Sequence, residues 1–218
     1  TATTPTPSRG ATTQPNSVNA VAVTWAVARR TLITLVRMPS VTAPTVVFPI
    51  FLLVSFTSGF VALKNMPGFP TDNFVNWYWP FVALQGASFA GAGAGFSAAR
   101  DITNGFFDRL LLTPSSRLSL LAGNVIGAMV RATVPALVAL PLALALGARF
   151  VTTGPIEALA GVLAVLVGCW IIAIFGTLWS LGVAYRAKSE RAAPLFFIVL
   201  FMALFLSTAQ VPVNLMAS

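Results

Sequence analysis

The sequence Arg100-Asp-Ile-Thr-Asn-Gly-Phe-Phe-Asp-Arg-Leu-Leu-Leu-Thr-Pro-Ser-Ser-Arg117 is the longest polar interval between the apolar blocks of the chain. Four of its apolar side chains would share one helical face through their three- and four-residue spacing: Phe106, Phe107, Leu110 and Leu111. Thr103 or Asn104 would cap such a helix, and Thr113-Pro114 would end it. The stretch therefore predicts a short amphipathic helix over about residues 103–112, which either binds a partner or lies at a membrane interface.

The composition of the chain is that of a membrane protein. Of its 218 residues, 57% are hydrophobic and 8% are charged, and the mean hydropathy is +0.87. Because a soluble domain normally carries about 25% charged residues, most of this surface is expected to face lipid. Residues 1–17 are rich in Thr, Pro and Ala, and they are predicted to form a disordered tail and not a signal peptide. The single cysteine, Cys169, is interpreted as a packing residue.

Residues 18–38 are predicted to form an amphipathic helix. Val21 and Trp25 fall on its apolar face, and Arg29 and Arg30 interrupt the apolar run. A helix of this kind lies on the membrane surface, with tryptophan at the level of the headgroups and arginine facing anionic lipid. The alternative is that the segment is only the leader of the first membrane span.

Five apolar segments are predicted to cross the membrane: residues 45–63, 77–99, 118–147, 156–184 and 194–210. About 20 helical residues at 1.5 Å each cover a hydrocarbon core of about 30 Å. The aromatic sequence Trp77-Tyr78-Trp79 is typical of a membrane interface. The third segment contains Pro135 and Pro141, and it is expected to be kinked or broken. The predicted fold class is therefore all-α, with residues 39–218 forming a polytopic transmembrane helical bundle.

The distribution of basic residues predicts the orientation. With the amino terminus in the cytoplasm, ten of the thirteen Lys and Arg residues fall on inner segments, Lys64 and Arg149 fall outside, and Arg131 falls within the bilayer. Such a bias sets topology in membrane proteins, so the net charge of +8 is interpreted as an orientation signal and not as a nucleic-acid-binding surface. The polar stretch Arg100–Arg117 is then cytoplasmic.

Two features inside the predicted spans are candidates for functional contacts. Gly91 and Gly95 form a small-xxx-small face that suits close helix packing, within one subunit or between two. Arg131 lies near the middle of the third segment, where a charge is costly and indicates a functional site, in the translocation path for example. The alternative is that Arg131 snorkels or pairs with a carbonyl group at a subunit contact.

Enzymatic chemistry finds little support in the sequence. The chain has no histidine, and the pattern offers no close carboxylate pair, no metal-ligand cluster and no phosphate-binding GxxxxGK motif. A proton- or sodium-coupled transporter usually carries an acid inside the membrane, whereas Glu157 lies at the edge of its segment. We therefore expect that the chain is not an enzyme and needs no cofactor or metal. The energy for transport would come from another protein, and we expect that protein to act on the cytoplasmic amphipathic helix.

The stretch from Asp101 to Arg117 resembles one in the membrane subunits of ABC-2 type exporters of the daunorubicin-resistance kind. The shared pattern is an acidic residue, a glycine about four positions on, a second acidic residue, then leucines, a proline and an arginine. The order of the elements is also similar: an amphipathic amino-terminal helix, two spans, a cytoplasmic helix and further spans. The likeness extends over nearly the whole chain.

The resemblance implies a permease subunit that seats its cytoplasmic helix in a groove of a separate ATPase, which binds the ATP. The residues implied to contact the ATPase are Arg100, Asp101, Gly105, Phe106, Phe107, Asp108, Arg109 and Leu110. It also implies a second permease subunit, identical or different. The expected location is a bacterial inner membrane. The expected cargo is an amphipathic drug or a lipid, as in multidrug efflux or lipid export, because the spans offer few polar groups.

The sequence departs from the family pattern at several places. Asp101 stands where glutamate is commoner, and bulky Phe106 follows the glycine where a small residue is usual. The family has a sixth span after a short outer re-entrant segment; residues 211–218 could begin that segment, and no sixth span follows. Two other functions remain open: a secondary transporter, which needs an ion-coupling acid in the bilayer, and a non-transporting membrane anchor or assembly factor.

Overall fold

The computed structural model of the protein describes residues 20–37, 39–59, 73–107, 116–149 and 154–206. These residues form six α-helices and no strand: α1 (Ala20–Arg37), α2 (Pro39–Gly59), α3 (Phe74–Thr103), α4 (Arg117–Ala145), α5 (Pro155–Ala187) and α6 (Ala193–Phe205). A 3₁₀ turn, Glu190–Ala192, joins the last two helices. The predicted all-α bundle is confirmed. Each predicted span overlaps one of the helices α2 to α6, and the number of membrane crossings stays a prediction.

Helix α3 is the centre of the bundle and packs against α2, α4, α5 and α6. Of its 30 residues, 18 are buried, and most of these are alanine, glycine or serine. Small side chains let neighbouring backbones approach closely, which is the main source of helix association where lipid is as apolar as the helices. At Gly86, for example, an added methyl group would lie 2.4 Å from Cβ of Pro135 on α4.

The outer surface of the bundle is apolar. Within the described residues, α4 and α5 are long and apolar enough to cross a membrane. The part of α2 from Thr45 to Gly59 is a shorter apolar helix. Helix α5 carries Ile156, Ile171 and Phe175 with 81%, 61% and 60% of their surface exposed. A row of exposed aliphatic and aromatic side chains of this size suits contact with lipid and not with water.

Helix α1 runs parallel to α4 and packs along it. The Thr24 hydroxyl lies within hydrogen-bond distance of two carbonyl oxygens, at 2.9 Å from Ala20 of its own helix and at 3.2 Å from Ser119 at the start of α4. A methyl group added at Gly123 of α4 would lie 2.6 Å from Val27 Cβ, and one added at Gly127 would lie 2.7 Å from Thr31 Cβ. The glycines of α4 therefore form a groove for α1.

The face of α1 that packs is not its most apolar face. Val21 and Trp25 are 74% and 63% exposed, whereas Ala28 is 1% exposed. Because lipid and protein are both apolar, hydrophobicity does not choose the packed face, and small side chains do. The position of α1 relative to a membrane surface stays a prediction.

The structure differs from the sequence prediction at the end of α3. The helix continues to Thr103 and does not end at residue 99, so Arg100 and Asp101 belong to its last turn. The Thr103 hydroxyl donates a hydrogen bond of 2.9 Å to the Ala99 carbonyl of the same helix. Asn104 is the C-cap, and Gly105 follows at φ +67°, which is the left-handed conformation that commonly ends a helix. The predicted span 77–99 lies within α3, and its bounds in the membrane stay a prediction.

Helix α4 is one continuous helix through both Pro135 and Pro141, so the third segment is not broken. The kink that was the other expectation stays a prediction. Membrane helices tolerate proline because neighbouring helices and local adjustments compensate the lost backbone hydrogen bond.

Candidate functional site

An ion pair joins α1 to the last turn of α3. Arg30 donates from Nη1 to Asp101 Oδ2 at 2.7 Å and from Nη2 to Asp101 Oδ1 at 2.6 Å. A bidentate pair of this kind fixes the relative orientation of both side chains as well as their separation. The carboxylate raises the pKa of Arg30, chiefly through these hydrogen bonds, while partial burial opposes the rise. The pair therefore holds α1 against the end of α3.

Aromatic contacts extend this link into the polar stretch Arg100–Arg117. The backbone is helical again at Phe106 and Phe107. The Arg30 guanidinium carbon lies 4.5 Å from the centre of the Phe106 ring, a cation–π contact. The ring centres of Phe107 and Tyr185 are 5.2 Å apart, which joins the stretch to the end of α5. Three helices thus converge on the segment that follows Gly105.

A cavity of about 480 Å³ lies between α1, α3 and α4, and it reaches from this cluster towards Arg131. Asp101, Arg30 and Phe106 line one end, and Arg131 lies beside Gly93 at the other. Gly93 and Asp101 are eight residues apart on α3, so the two ends are separated by about 12 Å. The volume falls in the range of small-molecule sites.

Gly91 and Gly95 pack against α5 of the same chain. A methyl group at Gly91 would lie 2.9 Å from the Ala173 carbonyl oxygen, and one at Gly95 would lie 2.6 Å from the Ser180 carbonyl oxygen. The Ser180 hydroxyl donates 3.0 Å to the Gly91 carbonyl and accepts 3.1 Å from the Gly95 N–H. It therefore bridges two backbone groups that lie one turn apart on α3. The glycine pair thus packs within this chain, and a role in contact between subunits stays a prediction.

A comparison with protein families identifies the chain. The family model for ABC-2 type transporters matches residues 22–218, which is most of the sequence. The chain belongs to the ABC-2 type transporter family. It is therefore a membrane permease component of an ABC-type transporter, a transport subunit of a family whose members associate with an ATPase subunit and dimerise. No curated protein and no solved structure matches it.

The described part of this ABC-2 subunit contains five of the eight residues implied to contact the ATPase. Arg100 and Asp101 lie on the last turn of α3, Gly105 is the turn, and Phe106 and Phe107 follow it. Asp108, Arg109 and Leu110 lie outside the described residues. Asp101, Phe106 and Phe107 are brought together with α1 and α5, whereas Arg131, Gly91 and Gly95 lie deeper in the bundle.

Four residues of this region were not singled out from the sequence of the ABC-2 subunit as site residues: Arg30, Gly93, Ser180 and Tyr185. Arg30 and Asp101 are 71 positions apart, so no spacing rule connects them. Ser180 did leave a signal, because Gly176 and Ser180 form a second small-xxx-small pair that faces Gly91 and Gly95. Within the described residues, no group of His, Cys, Asp or Glu could hold a metal ion.

Proposed function

We propose that this ABC-2 subunit is the permease of an exporter driven by a separate ATPase, which docks on the stretch Arg100–Arg117. Two permease subunits, identical or different, would form the path between them. The cargo would be an amphipathic drug or a lipid moved from the cytoplasm or the inner leaflet. The amino terminus would lie in the cytoplasm of a bacterial cell, and the subunit would reside in the inner membrane.

The observation that carries this proposal is the ion pair between Arg30 and Asp101. A force applied to the docking stretch acts on α3 directly, because Asp101 belongs to its last turn. The same force acts on α1 through Arg30 and on α5 through the contact between Phe107 and Tyr185. One short segment can thus tilt three helices together, which is what a coupling element must do.

The test is co-purification in neutral detergent of the full chain with the ATPase encoded beside its gene. We expect the wild type to retain the ATPase and the variant Asp108→Lys with Arg109→Glu to lose it, since exchanging two adjacent charges reverses electrostatic complementarity at the docking surface. Glu190→Lys with Arg191→Glu is the matched control. It exchanges an adjacent acid and base in the other loop predicted to be cytoplasmic, and it should retain the ATPase.

Two results would count against the proposal. Binding that survives the exchange at Asp108 and Arg109 would move the docking surface elsewhere. Absence of binding by the wild type would favour the secondary transporter or the membrane anchor.

A further inference from the structure

Arg131 is a buried cation. Its side chain is 6% exposed, and its Nε has no hydrogen-bond partner within the part of the chain that the structure describes. Asp101, the described carboxylate that lines the same cavity as Arg131, has both oxygens engaged by Arg30. Burying a charge without a partner is costly, and an ionisable residue inside a membrane protein commonly marks a substrate or ion pathway.

The position of Arg131 is determined by the neighbouring helix. A methyl group added at Gly93 of α3 would lie 2.8 Å from Arg131 Nη1. The absence of a side chain at Gly93 therefore makes the space in which the guanidinium lies. Arg131 is fourteen residues from the start of α4, about 21 Å along the helix, which places it near the middle of this 29-residue helix.

The cavity beside Arg131 carries positive charge. Its lining includes three arginines, Arg30, Arg100 and Arg131, and one aspartate, Asp101, for a formal net charge of +2. Ser97 and Asn124 contribute polar groups, and the remaining wall is formed largely by alanine, valine, leucine and phenylalanine. A cavity with one buried cation, a few polar groups and apolar walls suits an amphiphile whose anionic group reaches the cation.

We propose that the cavity binds the anionic headgroup of an amphiphile, a phosphate or a carboxylate, with Arg131 as its counter-ion. A guanidinium matches these groups because it donates two parallel hydrogen bonds to two oxygens. As an assignment of cargo this inference rests on the exporter function proposed above. The binding itself does not require the ATPase.

The experiment is thermal unfolding of the full chain in neutral detergent, without the ATPase, with added phosphatidylglycerol, inorganic phosphate or phosphatidylcholine. A saturating ligand should raise the melting temperature of the wild type by about 5 °C. Arg131→Leu should show no rise with phosphatidylglycerol. Arg149→Leu, which removes an exposed arginine outside the cavity, should respond as the wild type does.

Gly93→Ala is the second variant. Its added methyl group meets only the far end of the Arg131 side chain, so the protein should fold, and its response to phosphatidylglycerol should be smaller than that of the wild type. This variant tests the site even if Arg131→Leu does not fold.

The lipid and the free ion give different outcomes. A response to phosphatidylglycerol alone supports a lipid headgroup, and an equal response to inorganic phosphate supports a site for a free anion. No Arg131-dependent response to either ligand overturns the proposal. A negative result in thermal unfolding would not bear on ATPase docking, and a negative result in co-purification would not bear on anion binding. The two proposals can therefore fail independently.

Discussion

Gly95→Leu is expected to abolish accumulation of the folded protein, and Gly95→Ala to lower its melting temperature by several degrees. A methyl group at this position would lie 2.5 Å from Ser180 Cβ and 2.7 Å from the Ser180 carbonyl carbon. Those atoms belong to the backbone or are attached directly to it, so the whole of α5 must move. Overpacking of this kind costs about 1–3 kcal/mol or more, a substantial part of a stability of about 5–15 kcal/mol.

The substitution would also separate the Ser180 hydroxyl from the two backbone groups that it bridges. The measurement is thermal unfolding of detergent-purified protein, together with the yield of monodisperse material. Gly182→Ala is the matched control, because it makes the same change on α5 where no atom lies within 4 Å of the added methyl group. Equal melting temperatures for Gly95→Ala and Gly182→Ala would show that α3 and α5 do not pack as described.

Reversing one charge of the pair Arg30–Asp101 is expected to reduce ATP-driven transport by about tenfold. Changes along a coupling network shift the coupling by roughly 0.5–2 kcal/mol, and a reversed charge adds repulsion where the structure has a bidentate attraction. The effect on folding should be small. Because the Arg30 side chain is 52% exposed, a solvent-screened pair of this kind contributes about 1 kcal/mol or less.

The design is a charge exchange. Arg30→Asp and Asp101→Arg should each lower uptake of a lipophilic fluorescent dye into inside-out vesicles, and the double variant should recover most of it. Arg29→Asp makes the same change of charge one residue away, at an exposed arginine, and should transport at the wild-type rate. If the double variant transports no better than the single ones, the two residues do not act as a pair.

The helices could be predicted from sequence because apolar runs of membrane length are long and strongly patterned. Their ends were harder to place. Arg100 and Asp101 interrupt the apolar run, yet α3 continues to Thr103, and the better signal for its end was Gly105. The packed face of α1 was also hard to predict. Val21 and Trp25 form its more apolar face, but Val27 and Ala28 lie towards the bundle.

The site was predicted only in part, for reasons of distance along the chain. Asp101, Phe106 and Phe107 were identified through a family pattern that is local in sequence. Their partners Arg30 and Tyr185 come from other helices, so only the folded bundle brings them together. Arg131 was recognisable as a charge within an apolar segment, but the cavity beside it depends on the absence of a side chain at Gly93.

The central claim is that ATP hydrolysis on a partner subunit drives this permease, and the energy source of uptake tests it most directly. Inside-out vesicles that contain the chain and the neighbouring ATPase would be given dye with ATP plus a protonophore, or with a proton gradient and no ATP. We expect uptake in the first condition, none in the second, and none with ATP when the ATPase is omitted. Uptake that needs the gradient and continues without the ATPase would contradict it.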